Sequence, residues 1–419
     1  MYIKDMKLAK KFLIAGVLIF LIALLNKPVI SHNGESEPTL WLIQSIDTMK
    51  YSRDPAREKI KDPNFKKVID DQVKKIASTG ANYVAIATPY DQEFVPFLKE
   101  WVSSARKNNL HVWFRGNLSG WEGWFNYPKI SKSVHNQKIK EFILANEDLF
   151  QDGDIFSSCP ECENGGTGDP RQTGDIISYR NFLISEYRAT QDAFTQIHKN
   201  VYSNFFSMNA DVANLVMDQQ TTKALGGIVV IDHYVSTPQK LVTDIVTLSQ
   251  KTGGKIVLGE WGAPIPDING QMNEREQANW IHEVLDKLSE TKELIGLNYW
   301  VNLGGSTSIW NDDGTQRQAV QEITNFYTSN LAKGSIDDEI DKPIEAVKVN
   351  IGIRTVLTDK NGYFEIPNVN KNMRVDIQMP NYESQTLDIA NLSHKIVLIR
   401  QNNGIIFKIK KFLHLLHII

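Results

Sequence analysis

Residues 256–262, Ile-Val-Leu-Gly-Glu-Trp-Gly, form an apolar run that ends in a carboxylate, Glu260, and continues into turn-forming residues. Residues 154–166 repeat this arrangement, because a short apolar and small-residue run precedes a Cys-Pro-Glu-Cys segment that carries Glu161. A charged side chain just past the carboxyl end of a buried strand is where an α/β barrel places its chemistry. We therefore expect Glu161 and Glu260, which are far apart in sequence, to meet at one rim of such a barrel.

The chain alternates strand-like and helix-like segments from residue 40 to about residue 333. Amphipathic stretches such as residues 65–78 separate the short β-rich runs, and their apolar positions recur at helical spacing. This alternation predicts parallel strands with right-handed crossovers, and eight strands match an α/β fold of the (β/α)8 TIM-barrel type. A doubly wound open sheet is the alternative, but no glycine-rich phosphate loop follows the first strand. The predicted strands cover residues 40–47, 83–88, 111–115, 154–158, 201–208, 227–231, 255–259 and 296–300.

The composition argues against some partners and favours one kind of cleft. The chain has 419 residues and a formal net charge of −3, so nothing favours nucleic acid or another polyanion as a partner. Aromatic residues make up 10% of the chain and include nine Trp. Flat apolar rings can cover the C–H faces of sugars, which suits a carbohydrate-binding cleft, although each Trp fits the core equally well. With two cysteines, the chain is not a disulfide-stapled scaffold.

The N-terminal segment has the pattern of a targeting sequence. Four lysines precede an apolar run at residues 12–25, which has the length of a signal-peptide core and is short for a membrane-spanning helix. The cleavage pattern is poor, so residues 1–37 are predicted to be a signal peptide, or an uncleaved signal anchor, with a short tether. Both forms predict export to an extracellular or cell-surface location, with membrane contact through this segment.

The sequence pattern changes after the predicted barrel, which we assign to residues 38–333. An acidic linker at residues 334–341 precedes residues 342–402, where period-two alternation and turn signals predict a small all-β sandwich domain. This region resembles the carboxypeptidase regulatory-like domains, and the resemblance implies a non-catalytic accessory module. The residues that match are Thr358, Asp359, Gly362, Phe364 and Tyr382. The apolar, basic tail at residues 403–419 could lie on a membrane surface, or be a docked or disordered end.

Two carboxylates at strand ends suggest the paired acid and nucleophile that cleave glycosidic bonds. The barrel resembles the clan A glycoside hydrolases, which are retaining (β/α)8 enzymes. In that clan the nucleophile is a Glu at the end of strand seven, often in a Gly-Glu-Trp/Phe-Gly setting, and Glu260 matches it. The resemblance also implies that Glu161, after strand four, is the acid/base. The clan usually has Asn directly before that residue, whereas this chain has Pro160, so Glu163 stays as the alternative acid/base.

The same resemblance implies supporting residues around the two carboxylates. Tyr234 or His233, after strand six, is expected to hydrogen-bond Glu260, and Trp300, in strand eight, is expected to form the floor of a sugar subsite. Arg115, at the end of strand three, could bind a sugar group or fix Glu161, or be a buried structural arginine. The other candidate substrate-binding residues are Asn117, Trp121, Glu122, Trp124, Glu163 and Asn164, with Asn204 and Asp47 as weaker candidates.

The segment from Cys159 to Cys162 has further interpretations. C-x-x-C spacing occurs in thiol–disulfide redox sites and in half of a zinc site, but the sequence offers no second C-x-x-C or close His pair. A local disulfide that stiffens the acid/base loop is another hypothesis. The leading prediction is a retaining glycosidase of poly- or oligosaccharides that uses no metal or other cofactor. The alternatives are a catalytically inactive barrel that binds glycans or cell wall, and a C-x-x-C redox or metal protein.

Overall fold

A computed structural model describes residues 40–48, 55–166, 168–351, 354–368, 374–389, 392 and 395–401. The predicted targeting segment at residues 1–37 and the predicted tail at residues 403–419 lie outside these residues, so both remain predictions. No helix in the described part of the chain is long and apolar enough to cross a membrane. The described residues form a TIM barrel followed by a small all-β domain.

Eight parallel strands form the barrel sheet, in the order β4-β3-β2-β1-β8-β7-β6-β5. They are β1 (Ile43–Asp47), β2 (Tyr83–Ile86), β3 (His111–Phe114), β4 (Ile155–Phe156), β5 (Ser207–Asn209), β6 (Ile228–Asp232), β7 (Lys255–Trp261) and β8 (Leu294–Tyr299). Strand β5 is shorter than the sequence predicted and begins six residues later. Tyr202, in the preceding segment, joins β4 through a parallel bridge to Ile155 and accepts the Phe156 N–H at 2.8 Å. This contact links β4 to the segment that leads into β5 and completes the ring.

Helices connect successive strands and cover the outside of the sheet. They are α1 (Ala56–Lys59), α2 (Phe65–Ala77), α3 (Val95–Lys107), α4 (Ser119–Glu122), α5 (Lys132–Ala145), α6 (Pro170–Thr173), α7 (Ile176–Gln196), α8 (Ala210–Val216), α9 (Gln219–Ala224), α10 (Pro238–Thr252), α11 (Pro266–Asn269), α12 (Glu274–Ser289) and α13 (Gln318–Tyr327). Short 3₁₀ turns lie at Gln92–Phe94, Trp124–Asn126, Glu147–Leu149 and Cys162–Asn164. In α2 the apolar face is buried and the lysines point outward, as helical periodicity requires.

The barrel strands are buried on both faces, which explains their continuous apolar runs. Ile256 and Leu258 of β7 belong to the large core between sheet and helices. Val257, between them, points to the opposite face and belongs to a small separate cluster with Trp113 and Phe205. Because the interior of the barrel is filled by this second cluster, the polar side chains of the strands collect at the carboxyl ends.

The C-terminal domain has two small sheets that share one core. Strands β10 (Lys348–Ile351), β11 (Arg354–Leu357), β13 (Arg374–Gln378) and β14 (Gln385–Asp388) form an antiparallel sheet in the order β11-β10-β13-β14. Strands β9 (Asn330–Asp338), β12 (Tyr363–Asn368) and β15 (Lys395–Leu398) form the other sheet, in which β9 is central. β9 is antiparallel to β12 and parallel to β15. The domain therefore has the predicted all-β character.

The predicted linker at residues 334–341 is wrong for most of its length. Residues 334–338 belong to β9, and only two residues separate this strand from the end of helix α13. The burial alternates along this strand, with Ala332, Ile336 and Asp338 buried and Lys333 exposed. The acidic residues suggested a solvated linker, but this strand buries only one face. The alternation of polar and apolar residues was therefore the signal that indicated a strand. The β domain consequently starts at residue 330 rather than at residue 342.

The turn before β12 accounts for the residues that suggested the regulatory-like domain. The Asp359 carboxylate accepts the N–H groups of Asn361 and Tyr363, at 2.8 and 2.9 Å. Gly362 has φ of +71°, a left-handed conformation that glycine adopts without steric cost. Thr358 is buried, and its hydroxyl donates to the carbonyl of Ile344 at 2.7 Å. These residues have structural roles in the turn, and the family of the domain stays a prediction.

Candidate active site

Glu260 lies near the carboxyl end of β7 and is only 7% exposed. Its Oε1 accepts a hydrogen bond from Arg115 Nη2 at 3.0 Å, and its Oε2 accepts one from the Tyr234 hydroxyl at 2.9 Å. The preceding residue is Gly259, where a Cβ would lie 2.9 Å from the Cβ of Ser207 and would collide with Asp232. Only glycine fits here, and it lets the neighbouring strands bring their polar side chains close to Glu260.

Arg115 follows β3 and is the centre of a buried polar cluster. Its side chain is inaccessible to solvent, and protein groups surround the guanidinium. Two further carboxylates, from the ends of β1 and β6, share it with Glu260. The partners of Arg115 are Asp47 Oδ2 (2.9 Å), Gly259 O (2.6 Å), Ser207 Oγ (3.0 Å), Asp232 Oδ2 (3.2 Å) and Glu260 Oε1 (3.0 Å). This placement orients Glu260 and leaves the guanidinium no access to a sugar.

Asp47 and Asp232 complete the base of the cluster. Asp232 accepts the Ser207 hydroxyl at 2.7 Å in addition to Arg115. Asn298 of β8 donates to Asp47 Oδ2 at 3.2 Å and to the Gly259 carbonyl at 2.8 Å. Five barrel strands and the residue after β3 thus contribute to one network around Glu260. Such convergence at the carboxyl ends of the strands is the usual position of a TIM-barrel site.

The electrostatics of Glu260 combine opposing effects. Burial raises the pKa of Glu260 well above its ordinary value, and the nearby negative charge of Asp232 raises it further. Arg115 acts in the opposite direction, since its positive charge lowers the pKa of Glu260. The Glu161 carboxylate also raises the pKa of Glu260, so these two groups interact across one site. Hydrogen bonds from Arg115 and Tyr234 orient the Glu260 carboxylate and stabilise its ionised form.

Glu161 is the partly exposed carboxylate of the site. Its backbone has φ of 47° and ψ of 51°, a left-handed conformation that costs a non-glycine residue about 1–3 kcal/mol. The Glu161 N–H donates to the carbonyl of Ser207 at 2.7 Å, which ties this loop to β5. Its carboxylate is near two amides, at 3.1 Å from Asn164 Nδ2 and 3.4 Å from Asn209 Nδ2. Burial, followed by the charges of Asp232 and Glu163, raises the pKa of Glu161 to about 7.

Glu163, the alternative acid/base, has a different environment. It is 3% exposed, and both of its carboxylate oxygens already accept protein hydrogen bonds. Oε1 accepts the backbone N–H and the side-chain amide of Asn209, at 2.8 and 3.0 Å, and Oε2 accepts the Tyr179 hydroxyl at 3.2 Å. Burial raises the pKa of Glu163, and the Asn209 N–H lowers it. Glu161 is therefore a better candidate than Glu163 for a carboxyl group that must contact a substrate.

Cys159 and Cys162 are joined by a disulfide bond, so Glu161 lies inside a closed turn. Both cysteines are buried, and the indole N–H of Trp121 donates to the carbonyl of Cys162 at 3.2 Å. This agrees with the hypothesis of a local disulfide in the acid/base loop. Among the described residues, no cluster of three or more His, Cys, Asp and Glu side chains is arranged to hold a metal ion.

Trp300 and Tyr234 supply aromatic surface beside Glu260. Their rings meet edge to face, with 6.1 Å between centroids, and both residues are only partly buried. Of the two residues expected to hydrogen-bond Glu260, Tyr234 does so, whereas the ring of His233 bonds Asp244 of α10 at 2.8 Å. Trp124 is partly buried in the loop after β3.

Three predicted substrate-binding residues are buried and are held by other protein groups. Trp121 stacks on Phe182 with 5.2 Å between centroids, so it is a core aromatic. Asn117 is buried and its side-chain oxygen is 2.8 Å from the His135 ring. Asn204 precedes β5 and donates to the carbonyl of Leu225, which precedes β6. Asn204 is therefore near the amino ends of the strands, opposite the rim that carries Glu260.

Asp232, Ser207 and Asn209 are among the residues of the site that were not predicted from the sequence. All three belong to β5 or β6, and Asn209 and Asp232 are the last residues of these strands. The available signal was the one that identified Glu260, a polar side chain at the end of an apolar run. Asp232 follows the apolar residues 228–231 directly.

Comparisons with known proteins concern the fold of the chain. No protein-family model matches the sequence, and no curated protein matches it. Among solved structures, Bacteroides uniformis β-glucuronidase 2 has a TM-score of 0.45 and 11% identity, over 80% of this chain and 44% of that chain. The chain thus spans less than half the length of that β-glucuronidase.

Two further solved structures are similar at the same level. A trimodular endoglucanase of subfamily GH5_4 has a TM-score of 0.49 and 10% identity, over 87% of this chain and 79% of its own. A fungal β-1,4-galactanase has a TM-score of 0.45 and 14% identity, over 60% of this chain and 90% of its own. These structures are glycoside hydrolases. At this level of similarity the matches do not assign a function to this chain.

Proposed function

We propose that the protein is a retaining glycoside hydrolase in which Glu260 is the nucleophile and Glu161 is the acid/base. The observation that carries the proposal is that two interacting carboxyl groups lie at one barrel rim, one held by protein hydrogen bonds and the other partly exposed. Glu260 is oriented by Arg115 and Tyr234, as an attacking carboxylate requires. Glu161 is partly exposed and has a pKa of about 7, as a proton donor near neutral pH requires.

The reaction follows from these two roles. Protonated Glu161 gives its proton to the leaving oxygen as the glycosidic C–O bond breaks, and a Glu260 oxygen forms a bond to the anomeric carbon. Ionised Glu161 then removes a proton from water, whose oxygen bonds to the anomeric carbon as the bond to Glu260 breaks. Two displacements restore the original anomeric configuration. Trp300, beside Glu260, is proposed to support the sugar ring by contact with its C–H face.

The proposed substrate is a poly- or oligosaccharide, and the proposed location is outside the cell. The partly exposed aromatic rings of Trp300 and Trp124 suit carbohydrate, which offers apolar C–H faces as well as hydroxyls. Export is proposed from the basic and apolar pattern of residues 1–37. A disulfide in the acid/base loop agrees with a compartment in which such bonds persist.

Replacing Glu161 tests both the reaction and the assignment. In Glu161→Gln, kcat/KM for an alkyl glycoside is expected to fall by about 10²–10⁴-fold, because its leaving group needs a proton. A dinitrophenyl glycoside should be cleaved with a smaller loss in the first step, since its leaving group needs none. Azide should then restore turnover and give a glycosyl azide of retained configuration, identified by NMR. Glu163→Gln is the matched control, and azide rescue of Glu163→Gln instead would transfer the acid/base role to Glu163.

The pH dependence of turnover is a second test. Because the pKa of Glu161 is raised to about 7, kcat/KM is expected to decline as pH rises through about 7, when the free enzyme loses the donor proton. The measurement is kcat/KM for one alkyl or aryl glycoside between about pH 4 and about pH 9. A kcat/KM that continues to rise above about pH 8 would contradict the acid role of a protonated Glu161.

A further inference from the structure

Asp232 is a buried carboxylate that the reaction described above does not use. It ends β6, where its backbone lies in register with Glu260 on one side and with Asn209 of β5 on the other. It is 4% exposed, and its carboxylate accepts hydrogen bonds from Ser207 and Arg115. An ionised carboxylate at this depth is costly unless it is paired, so its presence beneath two reactive carboxyl groups calls for a reason.

The charges around Arg115 do not balance. One guanidinium is shared by Asp47, Asp232 and Glu260, so full ionisation leaves an excess of two negative charges in a buried space. The site lowers this excess when a nearby carboxyl group keeps a proton. Glu161 is close enough to do so, because its N–H is bonded to the carbonyl of Ser207, whose hydroxyl bonds Asp232. Its carboxylate also lies 3.4 Å from the amide of Asn209, the residue in register with Asp232.

We propose that Asp232 is a positioning residue whose buried negative charge, fixed by Arg115 and Ser207, keeps a proton on Glu161 in the resting site. The inference rests on the proposed function, in which Glu161 is the acid/base. It agrees with the electrostatics, because Asp232 is the strongest influence after burial that raises the pKa of Glu161. The titratable and charged groups that interact with Asp232 or Glu161 are Asp47 on β1, Arg115 after β3, Glu122 on α4, Glu163 after β4, Tyr234 after β6 and Glu260 on β7.

The charge of Asp232 matters in both displacements. When Glu260 forms its bond to the sugar, its carboxylate becomes a neutral ester and stops repelling negative charge on Glu161. Asp232 forms no bond to the substrate, so its charge persists in the intermediate. It therefore keeps Glu161 more basic in the second displacement, when Glu161 must remove a proton from water.

Asp232→Asn tests the proposal, because Asn preserves the shape and can accept the Ser207 hydrogen bond without the charge. The carboxyl titration of Glu161, followed by ¹³C NMR with Glu161→Gln as the assignment, should have its midpoint lowered from about 7 by about one pH unit. The high-pH decline of kcat/KM should move by the same amount in the same direction. Asp232→Glu, which keeps the charge, should restore much of the shift.

Two controls make the outcome specific. Asp244, on α10, pairs with His233 after β6 and with Lys240 on the same helix. Asp244→Asn removes this carboxylate and should leave the Glu161 midpoint unchanged. Ser207→Ala removes the donor that stabilises ionised Asp232, so it should move the midpoint in the same direction by less. Ser207→Ala also provides the test if Asp232→Asn does not fold.

The NMR readout separates this inference from the proposed function. A lowered Glu161 midpoint in a protein that hydrolyses no glycoside would support the role of Asp232 and refute the hydrolase. The opposite outcome combines two single variants. If Glu161→Gln inactivates the enzyme but folded Asp232→Asn leaves the Glu161 midpoint unchanged, the inference is overturned and the hydrolase assignment stands.

Discussion

Glu260→Gln is expected to lose glycoside turnover by on the order of 10⁴-fold or more, because the neutral amide cannot form the bond to the anomeric carbon. Gln has nearly the same shape, and its carbonyl oxygen can still accept the hydrogen bond from Arg115. Binding of the substrate should therefore survive, and isothermal calorimetry with an oligosaccharide that the parent cleaves would measure it. The loss should appear in kcat rather than in KM.

Glu283→Gln is the matched control for this experiment. Glu283 is an exposed residue of α12, so the same chemical change there should leave turnover at the parental level. Equal turnover of Glu260→Gln and the parent would refute the assignment of the nucleophile. Glycan binding by the parent without any hydrolysis would favour the alternative of an inactive, carbohydrate-binding barrel.

Arg115→Met is expected to destabilise the barrel by about 3–5 kcal/mol, since it leaves buried carboxylates without their shared cation. Urea unfolding followed by tryptophan fluorescence measures this, and all nine Trp lie between residues 41 and 310, so the signal reports the barrel. Arg57→Met, which breaks the exposed pair with Glu93, is the control and should have a much smaller effect. Unfolding of Arg115→Met at the parental urea concentration would contradict the structure of the cluster.

The instability of Arg115→Met should also depend on pH. Without Arg115, burial keeps the pKa values of Asp232 and Glu260 above those of the unfolded chain. The folded state then binds more protons than the unfolded state, so the free energy of unfolding falls as pH rises. The loss in free energy of unfolding relative to the parent should be smallest below about pH 4, where Asp232 and Glu260 are protonated in the folded and the unfolded variant. This loss should grow toward neutral pH.

The sequence predicted the barrel and two side chains of the candidate site because those signals are local. The apolar run before Glu260 marks a buried strand, and Tyr234 follows the preceding strand in the same way. Asp232 and Asn209 give equally local signals, but their importance depends on which strands are neighbours, and only the folded sheet shows that. Asn204 illustrates the converse, because predicting β5 from residue 201 placed a residue of the opposite rim near the site.

Burial explains the other differences between the predictions from the sequence and the structure. An aromatic residue in a loop suits a cleft wall or a core equally, and Trp121 is in the core because Phe182 of α7 lies parallel to it. The acidic residues of β9 gave the appearance of a solvated connection, yet every second position from residue 332 to residue 338 is buried. Glu161 and Glu163 were separable only through the partners that Asn209 and Tyr179 supply to Glu163.

The bond between Cys159 and Cys162 has a consequence for how the protein matures. It encloses two residues, and one of them is the proton donor of the proposed reaction, with its backbone in the left-handed region. Such bonds are rare in the cytosol, where thiols are kept reduced. Chains produced in a reducing cell could complete the barrel and still lack the covalent closure around Glu161. Thiol content is therefore the first property to establish in any recombinant preparation, because it reports directly on the loop that delivers the proton.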